Sequence, residues 1–284
     1  MSRWLVTGAG GMLGRDVVEV LGRRGLAVTA LARSDLDLCD TAAVRAAVPG
    51  HDVVVNAAAW TDVDGAETAY DEALAINGTA VGVLAATCRA AGTRLLHLST
   101  DYVFRGDAVH PYPEDAPADP INAYGRSKLA GERAALAEGG LVVRTAWMYG
   151  AHGTNFVATM LRLAAEREHV DVVDDQWGQP TWSYALAEHL VELGSRAAAP
   201  PGLYHGTSAG ETTWYELART VFAGAGLDPD RVRPTTSDRF VRPARRPGYG
   251  VLAHGRWAAA GMPPLPHWRA MLDAALPHLL AARP

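Results

Sequence analysis

Tyr124 and Lys128 stand four positions apart in Tyr124-Gly125-Arg126-Ser127-Lys128, a spacing that puts both side chains on one face of a helix. A phenol with an ordinary pKa of about 10 is a weak acid near neutrality, and a neighbouring ammonium stabilises its anion. Such a pair gives a proton to a carbonyl oxygen as hydride arrives at carbon, or takes one in reverse. Lys128 is the single lysine among 26 basic residues. Gene composition accounts for an arginine bias but not for the one lysine kept, and a planar guanidinium cannot take the place of a compact ammonium. A second source of chemistry follows the apolar residues 95–98. Either Ser99 or Thr100 there presents a hydroxyl just past a strand, where it can hydrogen-bond the same carbonyl.

The opening strand runs into Thr7-Gly8-Ala9-Gly10-Gly11-Met12-Leu13-Gly14. Gly8 permits a tight turn, Gly11 lets the backbone approach a pyrophosphate, and Gly14 lets the helix pack on the sheet. The helix N-terminus then faces the phosphates, so the turn reads as dinucleotide-binding. At the end of the next strand, Ala32-Arg33-Ser34 has no carboxylate before Asp35. An acid there favours the free ribose of NAD, whereas an arginine receives a 2′-phosphate. The expected cofactor is therefore NADPH, held by Arg33 and Ser34, with NADH as the alternative. Asp37 and Leu38 are placed to border the adenine.

These residues need a scaffold that brings several strand ends together. Strands are expected at 4–7, 26–31, 52–55, 94–98 and 141–144, alternating with helices at 12–24, 41–48, 68–91 and 123–137. This alternation predicts an α/β fold, a Rossmann-type doubly wound parallel sheet with ligands beyond the carboxyl ends of its strands. Helices are expected at 155–167, 183–193, 214–223 and 267–282, separated by frequent prolines. The organisation reads as a dinucleotide-binding unit over residues 1–150, joined by some later segments. Residues 151–284 would form a smaller, loop-rich substrate lobe.

The chain has 284 residues, 49% of them hydrophobic and 20% charged, which are globular values. A net charge of −5 argues against a generally basic nucleic-acid binder. Two cysteines make no disulfide framework, and neither their spacing nor that of the histidines suggests a metal centre. No run of uninterrupted apolar sequence has the length to cross a bilayer, so a cytoplasmic protein without membrane or nucleic-acid partners is expected.

Taken together, these features resemble the extended short-chain dehydrogenase/reductases, through the glycine turn, Asn56-Ala57-Ala58-Ala59, the hydroxyl after the fourth strand and Tyr-x-x-x-Lys. Within that group the chain is similar to the dTDP-4-dehydrorhamnose reductase family. The similarity rests on residues 59–67, Ser99-Thr100-Asp101-Tyr102-Val103-Phe104, Arg144-Thr145-Ala146-Trp147, residues 153–156 and 175–181, and Arg246-Pro247. It implies a catalytic set of Thr100, Tyr124 and Lys128, with Lys128 also on the nicotinamide ribose. It further implies that Gly8, Gly11, Met12, Leu13, Ala57, Ala58 and Ala59 line the cofactor. Asp101, Tyr102, Trp147, Asn155, Gln176, Thr181 and Arg246 are the implied substrate contacts. Arg246 belongs to a basic cluster with Arg242 and Arg245, one of which is expected on a diphosphate. The related 4,6-dehydratases carry Asp-Glu where this chain has Asp101-Tyr102, which argues against water elimination. The implied reaction is NADPH-dependent reduction of the C4 ketone of a dTDP-4-keto-6-deoxyhexose by a monomer or homodimer. A nucleotide-sugar 4-epimerase and a non-catalytic regulatory subunit, like that of methionine adenosyltransferase, are the alternatives.

Overall fold

The computed structural model describes residues 2–281. Its first part alternates β1 (Arg3–Thr7), α1 (Met12–Arg23), β2 (Ala27–Leu31), α2 (Thr41–Ala47) and β3 (Val53–Asn56). There follow α3 (Tyr70–Leu74), α4 (Ala80–Ala91), β4 (Arg94–Thr100), α5 (Ala123–Ala137) and β5 (Leu141–Thr145). The remainder comprises β6 (Met148–Tyr149), α6 (Phe156–Glu166), β7 (Val170–Val173), β8 (Trp177–Gly178), β9 (Thr181–Trp182) and α7 (Ser183–Ser195). It ends with β10 (Gly202–His205), β11 (Thr212–Thr213), α8 (Trp214–Gly224), β12 (Val232–Thr235) and α9 (Trp268–Ala281). Ala282, the last residue of the expected C-terminal helix, lies outside the described residues.

The central sheet is parallel, in the order β10-β5-β4-β3-β1-β2. Its inner strands are apolar on both faces because both faces are covered. Trp4, Val6, Val55, Leu96 and Val143 face one core, which also holds residues of α1 and α7. Leu5, Val54, Leu95 and Val142 face the other, under α2 and α4. A third core joins α6, α8 and α9 to the parallel pair β7–β12. Trp182 packs against both the first and third cores.

The expected helix over 68–91 is interrupted. After α3 the backbone opens into a wider, π-helical turn over Ala75–Thr79 before α4 begins. Asn77 in that turn is fully buried. Its amide accepts the Trp60 backbone N–H at 2.9 Å and donates to the Trp60 carbonyl at 3.0 Å and to Ser127 Oγ at 3.0 Å. These partners are distant in sequence, so helical periodicity carries no sign of them. The same stretch bears on a second expectation. Tyr70–Ala91 is 22 residues long and holds a window of mean hydropathy 1.3, yet Asp71, Glu72 and Asn77 keep it from being an uninterrupted apolar run. Here it packs beside α2 and α5 as an element of the fold. Strand β10 is short and follows Pro200-Pro201, and sequence alternation did not isolate it.

Candidate active site

The carboxyl ends of the strands open into a cavity of about 980 Å³. At one end the chain turns through Gly8 at φ +70°, where an added Cβ would lie 2.5 Å from the Ala58 nitrogen. At Gly14 it would lie 2.2 Å from the Gly8 carbonyl oxygen. Only glycines allow α1, the turn and the segment after β3 to meet so closely. Gly11 caps α1 without a side-chain hydrogen bond, so the helix start is open to an anion. Gly8, Gly11, Met12, Leu13, Gly14 and Ala57–59 line this part. The glycine cradle and the uncapped helix fit a dinucleotide diphosphate.

Arg33, Asp37 and Leu38 line the end near β2, together with Cys39. Ser34 is not among the lining residues; its hydroxyl donates to Asp35 at 3.3 Å. Asp35 in turn accepts the Ala32 N–H at 2.8 Å. The first carboxylate after β2 is thus folded onto its own turn, while Arg33 stands at the cavity wall, as a 2′-phosphate requires.

At the other end, Thr100, Asp101, Tyr102, Tyr124 and Lys128 converge on the cavity. Alternation along β4 separates the two hydroxyls that sequence left open. Ser99 donates to buried Glu132 at 2.9 Å, and Glu132 is paired with buried Arg144. Thr100 donates to Asp101 Oδ1 at 3.0 Å and accepts the Tyr102 N–H at 3.2 Å, and its hydroxyl is close enough to Tyr124 to favour the phenolate. Tyr124 sits in the first turn of α5, which Asn122 caps through the Gly125 N–H at 2.7 Å. Gly125 is required there, because a Cβ would lie 2.1 Å from the Tyr102 carbonyl oxygen. The rings of Tyr102 and Tyr124 meet edge to face at 5.7 Å.

Burial dominates the electrostatics. It raises the Asp101 carboxyl to about 7, against the opposing hydrogen bond from Thr100. It lowers the Lys128 ammonium to about 8, with Glu132 opposing. It raises the Tyr124 phenol above its ordinary value, reinforced by Asp101 and Tyr102 and opposed by Thr100. The expectation that Lys128 makes this phenol acidic is therefore not met. Lys128 Nζ instead donates to the Leu98 carbonyl at 2.6 Å.

Trp147 also lines the cavity, and its backbone is left-handed at φ 46°. Its indole stacks on Trp214 at 3.5 Å, and a Cβ on Gly178 would collide with it. Trp214 lines the cavity too, as do Trp60, Thr145 and Met148. Sequence reasoning missed Trp214 because only tertiary packing brings it to Trp147.

Four expected substrate contacts are placed elsewhere. Asn155 caps α6 through the Ala158 N–H and donates to the Gly150 carbonyl at 2.9 Å. Thr181 is fully buried and bonds the Gln179 carbonyl. Gln176 donates to Ser237 Oγ at 2.8 Å. Arg246 grips both oxygens of Asp64, at 2.6 and 3.1 Å, beside Arg242 on the same carboxylate. None of the four is among the cavity-lining residues. Asp16, Glu19 and His152 bring ligand atoms within 4.8 Å of one another, a grouping that cysteine and histidine spacing did not reveal. Ser183 donates to Asp16, which also lies 3.8 Å from His152.

A family model described as the RmlD substrate binding domain matches residues 2–281. A dTDP-4-dehydrorhamnose reductase of Streptomyces griseus is 56% identical, over 99% of this chain and 96% of that protein. A dTDP-4-keto-6-deoxy-D-glucose reductase of Streptomyces niveus is 52% identical, over 98% of each. The crystal structure of a dTDP-4-dehydrorhamnose reductase from Bacillus anthracis, in complex with NADP, superposes with a TM-score of 0.93. It is 34% identical, over 98% of this chain and all of that one.

Proposed function

The chain belongs to the RmlD substrate binding domain family, and from that premise we propose that it reduces the C4 ketone of a dTDP-4-keto-6-deoxyhexose with NADPH. The observation that carries this reading is the meeting of Thr100, Tyr124 and Lys128 with the glycine cradle in one cavity. NADPH, when bound, supplies the hydride. Arg33 and the open start of α1 hold its phosphates, and Lys128 holds the nicotinamide ribose. Thr100 orients and polarises the ketone oxygen. Tyr124, whose half-buried phenol keeps its proton at neutral pH, gives that proton to the much more basic alkoxide. Trp147 and Tyr102 form the wall against which the sugar lies.

Two relatives above half identity carry names that differ in the sugar reduced, so the assay has two substrate arms. Loss of NADPH absorbance is followed with dTDP-4-keto-6-deoxy-L-mannose and with its C5 epimer, dTDP-4-keto-6-deoxyglucose, each repeated with NADH. Rapid oxidation with one sugar is expected. No oxidation in any arm overturns the proposal. Tyr124→Phe should lower kcat by about 10²–10⁴-fold while NADPH affinity holds. Retained turnover in that variant would remove Tyr124 from the proton-donor role.

A further inference from the structure

Thr145 ends β5 directly opposite Thr100, the last residue of β4, in the parallel register. It lines the cavity, is 5% exposed, and its hydroxyl has no hydrogen-bond partner among the described residues. A buried hydroxyl left unpaired bears its full desolvation penalty, so such a group at a ligand cavity points to a partner on the ligand.

The sheet order indicates which ligand group that is. Across the carboxyl edge, Arg33 follows β2, the glycine turn follows β1 and Ala57–59 follow β3, with Thr100 at the end of β4 and Thr145 at the end of β5. From β2 to β5 is four strand spacings, about 19 Å. A dinucleotide with its adenosine phosphate at Arg33 and its diphosphate on the α1 cradle extends its nicotinamide end toward β4 and β5. That ring carries one pair of hydrogen-bonding groups, the carbonyl and amino groups of its carboxamide. A threonine hydroxyl both donates and accepts, so it serves either.

We propose that Thr145 binds the nicotinamide carboxamide and so fixes which face of the ring is turned toward Thr100 and Tyr124. The inference rests on the NADPH reading above. Thr145 is a positioning residue, and its effect belongs to binding.

Thr145→Val removes the hydroxyl and keeps the shape, while Thr145→Ser keeps the hydroxyl. Each is titrated with NADPH by fluorescence, and by calorimetry with 2′-phospho-ADP-ribose, the same cofactor without nicotinamide. Thr145→Val should weaken NADPH about fivefold, leave 2′-phospho-ADP-ribose unchanged, and be largely rescued in Thr145→Ser. Unchanged NADPH affinity in Thr145→Val overturns the inference, and an accompanying rise in the sugar's KM would assign the hydroxyl to the substrate. Equal weakening of both probes also overturns it, by showing a general distortion. If the parent protein binds neither probe, the cofactor reading itself fails, an outcome distinct from the other two.

Discussion

Folding gives Asp101 a carboxyl that titrates near neutrality, at about 7, because the group is buried between Thr100 and the paired tyrosines. Its unfolded counterpart releases its proton near pH 4. Between these values the folded chain holds more protons than the unfolded one, so this residue makes stability fall as pH rises from about 4 to about 7. Asp101→Asn should lift that penalty. Urea denaturation should find the variant close to the parent at about pH 4 and clearly more stable at about pH 8. An advantage that is constant with pH would exclude the ionisation as its source. Residues of this cluster were legible in the sequence because their spacing is local: one helical turn joins Tyr124 to Lys128, and one peptide joins Thr100 to Asp101. Asn155, Gln176 and Thr181 stand outside the cavity lining for the converse reason. A motif shows that they are present but not that their amide and hydroxyl groups are used by the Gly150 and Gln179 carbonyls and by Ser237.

Helix α5 carries Tyr124 and Lys128, and its position depends on how closely it approaches the π-helical turn. A Cβ on Gly131 would lie 1.9 Å from the Asn77 carbonyl oxygen, whereas one on Gly82 of α4 would meet Ala134 at an ordinary 3.6 Å. The two glycines flank the same contact and should respond oppositely. Gly131→Ala should destabilise the protein by about 1–3 kcal/mol and lower kcat as α5 is pushed from the turn. Gly82→Ala should stabilise it by about 0.5–1 kcal/mol with activity unchanged. Denaturation curves and initial rates on both variants check this, and equal effects of the two would refute the close-contact argument. The helices themselves were readable from apolar spacing, with α5 expected at its observed bounds. The widened turn was not, because the buried amide that accompanies it answers to Trp60 and Ser127, far away along the chain.

At the scale of the molecule, the late segments close over the site that the early ones build. The alternation of strands and helices made the parallel sheet readable, but the strap carrying Arg242 and Arg246 could be read only as a basic cluster. Its partner, Asp64, precedes it by 178 and 182 positions. Asp64 also accepts the Ala244 N–H at 3.1 Å, and the charge of the Arg246 it holds acts on the phenol of Tyr102 at the cavity, opposing the upward push of burial. Asp64→Asn should therefore raise the KM for the sugar nucleotide several-fold and leave the NADPH dissociation constant unchanged. Steady-state kinetics beside a cofactor titration decide it, and a parallel loss of cofactor affinity would argue against a strap confined to the sugar side. The indoles of Trp147 and Trp214, stacked 3.5 Å apart at an interplanar angle of 9°, add an optical consequence. Transition dipoles so close couple, so the pair should contribute an exciton couplet to the circular dichroism spectrum. Trp214→Phe should abolish that couplet, and a sugar settling against Trp147 should perturb it. The protein thus carries its own chromophore for occupancy of the site, readable without a label and without turnover.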